Sequence, residues 1–170
     1  MRLFVAAWPT DQVVADLTTS VGELVGPGLR PVPPANWHVT MVFLGSVDDG
    51  DVDAIADALG PLRSKRAVTA VLGPAITSLG RGVLCLPAEG LDDLADVAHR
   101  ATEPFNRSPD RDRPFSGHLT LARSRRAVPR PLVGRPAVAR WEVAEVLLVA
   151  STTATEGPRY RPVATVSLEG

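Results

Sequence analysis

Two short stretches of this chain repeat one pattern, His38-Val39-Thr40-Met41 and His118-Leu119-Thr120-Leu121, with the histidines 80 positions apart. Residues at i and i+2 of an extended chain point to the same side, so each stretch presents an imidazole and a hydroxyl together. A polar pair of this kind among apolar neighbours is costly to bury without partners, and so needs a reason. Imidazole titrates near neutral pH, so one histidine can take a proton while the other gives one. The threonines can donate hydroxyls to an oxygen held between them. Four such groups around one centre suit in-line displacement at phosphorus. One histidine activates water, the other protonates the departing oxygen, and the threonines with an arginine hold the phosphate oxygens. A reactive ester such as a strained five-membered cyclic phosphate would need neither metal nor cofactor.

Both motifs lie on strands. Trp37 to Leu44 is a run of β-branched and large apolar residues between Pro33-Pro34 and Gly45, apolar enough on both faces to be a buried strand. Before it, Leu3 to Trp8 predicts a first strand ended by Pro9. Thr10 then offers an N-cap to a helix that carries Val13, Val14, Leu17, Val21 and Leu24 at helical spacing, until Gly26-Pro27-Gly28 stops it. A Pro-rich loop leads to the His38 strand. Asp48 to Leu59 predicts a second helix with an acidic start. Val68–Leu72, Ala75–Leu79 and Val83–Leu86 are strand-like, the last two joined as a hairpin by Gly80-Arg81-Gly82. Leu91 to Phe105 is helical, with Leu91, Leu94, Ala95, Ala98 and Thr102 on one face. The second motif follows on its strand, then an Arg/Pro-rich binding loop over Ser124–Pro136, and strands over Val143–Ala150 and Tyr160–Leu168. Helices do not follow every strand, so an α+β arrangement fits better than a doubly wound parallel sheet.

The 170 residues suffice for one unit with a real core, in two lobes around a cleft. A net charge of −1 hides an asymmetry. Residues 1–60 hold two Lys/Arg and eight Asp/Glu, a balance of −6, whereas residues 100–140 hold ten arginines and three acids, a balance of +7. A basic segment around the second motif favours a phosphate-bearing substrate. The plainer explanation is a habit of composition, since the chain has 17 arginines and one lysine. No run of residues approaches a membrane span, and the apolar start is too short for a signal segment. The single Cys85 excludes an internal disulfide and reads as a buried hydrophobe, which suits a reducing cytoplasm.

The paired motifs resemble those of the 2H phosphoesterase superfamily, closest to its bacterial and archaeal branch, the RNA 2′,3′-cyclic phosphodiesterases, also called the 2′-5′ RNA ligase family. The likeness spans nearly the whole chain. Arg2-Leu3-Phe4-Val5-Ala6 resembles the opening strand, Pro33 to His38 the approach to the first motif, and Phe43-Leu44-Gly45 its exit. His118 to Arg123 matches the second motif, and Ser151 and Tyr160 fall where the closing hairpin carries Ser and Tyr. The resemblance implies a single α+β domain over residues 1–170, two-lobed and pseudo-twofold, with antiparallel-rich sheets flanking a central cleft and helices outside. It implies metal-independent hydrolysis of a 2′,3′-cyclic phosphate at an RNA end to a 2′-phosphate, with 2′-5′ RNA ligase activity as a further capacity. By position, His38 would protonate the leaving 3′ oxygen, His118 would activate water, Thr40 and Thr120 would complete the catalytic set, and Arg123 would contact phosphate. RNA ends or small cyclic nucleotides are the implied partners, with no membrane and no obligate protein partner.

Two departures bear on the site. The family pattern has proline before the second histidine; here Ser116-Gly117 stands there, which would loosen the strand's entry. Strict alternation also sets Arg123 on the face opposite His118 and Thr120, so it reaches the cleft only if the strand twists or bulges. Plainer and rival readings stand beside these. A lone strand His or Thr is more often a satisfied core residue, but two matched pairs with a common flanking likeness point to a shared site. His99 reads as a surface or packing histidine. A zinc site from His38, His118 and His99 or Cys85 lacks ligand spacing. Trp37 and Phe115 are candidates to stack on a base, although Trp37 alternates away from His38 toward the core. A non-catalytic RNA-end or nucleotide-binding module, and an enzyme for 2′-5′ oligonucleotides or small cyclic nucleotides such as ADP-ribose 1″,2″-cyclic phosphate, are the alternatives in function.

Overall fold

Alternation along the first strand divides the molecule into two faces. In β1 (Arg2–Ala7), Leu3, Val5 and Ala7 join the main core, whereas Phe4 and Ala6 turn to a small second cluster with Val149. A computed structural model describes residues 1–154 and 157–170 of the chain. After β1 comes α1 (Asp11–Val21), where the Thr10 hydroxyl accepts a hydrogen bond from the Val13 N–H. This helix ends at Gly22, short of the stop expected at Gly26-Pro27-Gly28. Gly22 takes φ 65° with ψ −160°, a conformation open to glycine, and its N–H returns to the Thr18 carbonyl. The Pro-rich stretch that reads as a loop contains a short strand, β2 (Leu29–Pro31), followed by a 3₁₀ turn at Pro34–Asn36 and by β3 (Val39–Ser46).

The remaining elements are α2 (Val52–Ala58), β4 (Val68–Leu72), the hairpin of β5 (Thr77–Leu79) and β6 (Val83–Glu89), α3 (Asp92–Thr102), β7 (His118–Ser124), β8 (Ala139–Val143), β9 (Glu145–Ala154) and β10 (Gly157–Ser167). Short 3₁₀ turns flank α2 and extend α3 to Phe105. The single strand expected over Val143–Ala150 is two. Ala144 separates β8 from β9, which lie in different parts of the sheet, although the sequence there is almost uniformly apolar.

The sheet runs β10-β9-β1-β3-β7-β6-β4-β8, with β2 added to β7 and β5 to β6, and every named pairing is antiparallel. Between β3 and β7 the ladder narrows to one residue pair, Val39 with Leu119. The two halves on either side repeat a unit of strand, helix, strand: β1–α1–β3 in one and β6–α3–β7 in the other. Leu17 and Val21 of α1 and Leu94, Ala95 and Ala98 of α3 bury themselves in the main core on one face of this sheet. Each helix reaches across, α1 to β8 and α3 to β3, so the helical layer ties the halves together. The opposite face is left for the cleft.

Gly117, just before β7, is clamped rather than loose. The Ala88 N–H donates to its carbonyl at 2.9 Å, and a Cβ on Gly117 would collide with the Ala88 carbonyl oxygen. The glycine therefore permits β6 to close on the strand's entry, where the sequence suggests slack. Gly117→Ala should lower the unfolding free energy by about 1–3 kcal/mol, the usual cost of overpacking, as read from urea denaturation. An unchanged midpoint would show that the β6–β7 spacing yields freely.

Candidate functional site

The narrow join between the halves sets the geometry of the four motif residues. An antiparallel pairing of Val39 with Leu119 brings His38 across from Thr120 and Thr40 across from His118. Val39 and Leu119 are fully buried toward the core, so their neighbours on either side share the other face. His38, Thr40, His118 and Thr120 all line one cleft of about 840 Å³, within the range of small-molecule sites. Among the described residues neither threonine hydroxyl has a protein hydrogen-bond partner, so both are available to a ligand.

Each histidine is oriented in the same way. His38 Nδ1 lies 2.7 Å from the Asn36 carbonyl oxygen and His118 Nδ1 lies 2.8 Å from that of Ser116. A carbonyl only accepts, so Nδ1 carries the hydrogen in both rings and Nε2 is left for proton exchange with a ligand.

Arg123 also lines the cleft, and a bulge puts it there. In the β6–β7 pairing Leu84 faces Ala122 and Cys85 faces Thr120, so Leu121 is skipped. Leu121 and Ala122 are consecutively buried and the side chain of Arg123 emerges on the side of His118 and Thr120. The Leu121 carbonyl freed by the bulge accepts from the Val32 N–H at 2.8 Å. The first motif does the same: in the β1–β3 pairing Met41 is skipped, Met41 and Val42 are both buried, and Phe43 emerges 40% exposed into the cleft. Phe43 thus stands five residues after His38 as Arg123 stands five after His118. Sequence reasoning missed it, although the equal spacing was a signal.

The two histidines sit in unlike surroundings. His38 stacks on Trp8, with ring centroids 4.6 Å apart and planes at 23°, and lies 5.0 Å from Phe4 and 5.1 Å from the edge-on Tyr160. Burial in this aromatic box lowers its pKa to about 4, opposed by the hydrogen bond to Asn36 and aided by the charges of Arg123 and His118. Tyr160 is itself raised by burial, with Arg123 acting the other way. Among the described residues His118 has no such ring contacts. Arginines line the same cleft: Arg123, whose charge acts on His38 and Tyr160, then Arg125, and Arg30 directly across from Arg123 in the β2–β7 pairing. Phe4, Trp8 and Arg30 were not singled out from the sequence. They come from segments whose meeting depends on the fold, and β2 itself was hidden in a Pro-rich stretch.

Other candidates lie elsewhere. Trp37 is 3% exposed and its indole N–H donates to the Val32 carbonyl, which makes it core. Phe115 packs on the main core beside Gly117 and does not line the cleft. His99 on α3 meets the Arg111 carbonyl at 2.7 Å. Cys85 is buried in β6, and burial pushes its thiol up to about 11. Among the described residues no three His, Cys, Asp or Glu side chains gather as metal ligands, and no helix is long and apolar enough to cross a membrane.

Comparison with known proteins agrees with this fold. Residues 8–72 match the family model described as LigT like phosphoesterase. A protein of Thermus thermophilus named RNA 2′,3′-cyclic phosphodiesterase is 32% identical over all of this chain and 91% of its own length. Among solved structures, that of TT0787 from Thermus thermophilus matches with a TM-score of 0.83 and 29% identity, covering 100% of this chain and 99% of the other. The structure of Escherichia coli LigT complexed with 3′-AMP matches with a TM-score of 0.82 and 28% identity, over 98% and 97% of the two chains.

The aromatic box has a consequence for stability. In the unfolded chain His38 titrates near the ordinary value of about 6.5, but in the fold near 4. Between those values the unfolded state binds more protons, so stability is full above the unfolded pKa and declines as pH falls toward the folded one. His38→Phe removes this titration and should make the decline shallower, measured by urea denaturation across that window. An unaltered slope would contradict the lowering of His38 by its surroundings.

Proposed function

Because the chain belongs to the LigT-like phosphoesterase family of RNA 2′,3′-cyclic phosphodiesterases, we propose that its cleft hydrolyses a 2′,3′-cyclic phosphate at an RNA end, with His38 and His118 dividing the two proton transfers. It is a cyclic phosphodiesterase, a hydrolase of phosphoric diester bonds. The observation that carries the shared site is the Val39–Leu119 register, which faces each histidine with the other motif's threonine. We read residues 1–170 as one two-lobed domain and place it in the cytoplasm, where a lone buried Cys85 fits a reducing medium.

The cyclic phosphate sits between the two Nε2 atoms. His118 takes a proton from water as the water oxygen bonds to phosphorus, and the bond from phosphorus to the 3′ oxygen breaks in line. His38 delivers a proton to that 3′ oxygen, so the phosphate stays on the 2′ oxygen. The Thr40 and Thr120 hydroxyls donate to the non-bridging oxygens, and the Arg123 guanidinium balances their charge. His38 must carry a proton for this step although burial favours its neutral form. The incoming phosphate offsets the positive charge of Arg123 that presses on the ring, and so restores part of its basicity on binding.

The lowered pKa of His38 favours a second reading as well, in which the neutral His38 is the base and His118 the acid. A diester with an activated phenolic leaving group separates the two, because a good leaving group needs no protonation. With His38 as acid, His38→Ala is largely spared on that substrate and His118→Ala is not; the reverse pattern exchanges the roles.

On a 2′,3′-cyclic end, His38→Ala and His118→Ala should each reduce turnover by about 10²- to 10⁴-fold, the range for a general acid or base, while circular dichroism shows the fold retained. Near-wild-type turnover in either variant would sink the shared site. A chelator should leave turnover intact; loss in chelator reversed by zinc or magnesium would contradict histidine-only proton transfer.

A further inference from the structure

We infer that the arginines beyond the C-terminal end of β7 form a second subsite, continuous with the cleft, which binds the backbone phosphates of single-stranded RNA on the 5′ side of its cyclic end. This rests on the reading of the cleft as the seat of that end. A shallow recess of about 510 Å³ is lined by Arg81, Gly82, Ser124, Arg125, Arg126 and Ala127. Ser124 and Arg125 also line the catalytic cleft, so the two depressions share a wall.

The recess is built by backbone hydrogen bonds. The Ser124 N–H donates to the Gly82 carbonyl at 2.8 Å and the Val128 N–H to that of Arg81 at 2.9 Å, which fixes the β5–β6 turn against the segment leaving β7. The Ser124 hydroxyl accepts from the Arg126 N–H at 3.1 Å and bends the chain there. Arg125 consequently borders both depressions, whereas Arg126 borders the recess alone.

Its chemistry is that of a phosphate track. Arg81, Arg125 and Arg126 are exposed, and among the described residues none of them has an ion-pair partner and no carboxylate lines either depression. Clustered guanidiniums without acids repel one another, and a polyanion relieves this while releasing its counterions. The planar fork of arginine matches phosphate oxygens. Among the described residues no aromatic side chain lines the recess, so it offers nothing for a base to stack on and should bind without regard to sequence. The direction follows from the substrate. A cyclic phosphate occupies the 3′ end of its ribose, so the rest of the strand must leave the cleft through the 5′ oxygen. A mononucleotide has no chain to send there.

Binding is the test, because it does not depend on turnover. Fluorescence anisotropy would compare a labelled short single-stranded RNA ending in a 2′-phosphate with the same terminal nucleoside 2′-phosphate as competitor, over a range of salt. The RNA should bind more tightly than the nucleotide, and Arg81→Ala/Arg126→Ala should remove that advantage. The slope of log affinity against log salt should flatten by about 0.7 for each phosphate that the variant no longer engages, the single-strand value. Arg100→Ala/Arg140→Ala, two exposed arginines elsewhere on the surface, removes the same charge and should leave most of the slope. Equal affinity for RNA and nucleotide, a wild-type slope in the Arg81/Arg126 variant, or equal flattening in the control overturns the subsite. Absence of turnover on both a cyclic mononucleotide and a cyclic-ended RNA would instead overturn the reading of the cleft.

Discussion

The arrangement depends on one antiparallel residue pair. Among the described residues, Val39 and Leu119 are the only point at which β3 and β7 share a ladder, and they are buried on the side away from the cleft. Burial fixes the register of this pair, because a one-residue slip of either strand would turn its apolar residue to the cleft and its histidine into the core. Beyond that pair the strands part. The parting makes room for a ligand, and the pair ensures that what faces the ligand is two imidazoles and two hydroxyls. The helices α1 and α3, each packed on the other half, hold this narrow join from behind.

The twofold relation between the halves is one of backbone rather than of chemistry. Both motif strands carry the same burial pattern from the residue after histidine to the fifth, including the bulge that skips Met41 in one and Leu121 in the other. What the bulges deliver differs: Phe43 on one side, Arg123 on the other. Around His38 the wall is aromatic, from Phe4, Trp8 and Tyr160, ring contacts that His118 lacks among the described residues; Arg30, Arg123 and Arg125 line the same cleft. Two like groups in unlike surroundings are how a single fold assigns unlike proton-transfer duties. In the proposed reaction burial disfavours charge on His38, and the phosphate drawn by the arginines restores part of it.

Much of this was legible in the residues. The repeated His-x-Thr, the apolar strand around each, and the excess of arginine after residue 100 together indicated a phosphate site between two similar halves. Alternation failed at Arg123 because it assumes an unbroken ladder. Its sign was the apolar doublet Leu121-Ala122, matched by Met41-Val42, which two-residue periodicity cannot place on one face without a bulge. β2 escaped notice because three residues ending in proline carry little strand signal, and it exists by leaning on β7. The break at Ala144 is equally silent, since Val143 and Val146 are both buried in the main core although their strands lie in different halves of the sheet. The aromatic box needs Phe4, Trp8, His38 and Tyr160 to meet, and no local pattern specifies contacts across that span of chain.

The proposed reaction requires that one phosphate be held by both histidines at once. The most direct measurement is a nitrogen-15 NMR titration of the imidazole rings with a nucleoside 2′-phosphate, using His99 as an internal reference. The Nε2 resonances of His38 and His118 should move together along one saturation curve while those of His99 stay in place. A response confined to one of the two rings, or two curves with separate midpoints, would contradict a shared phosphate.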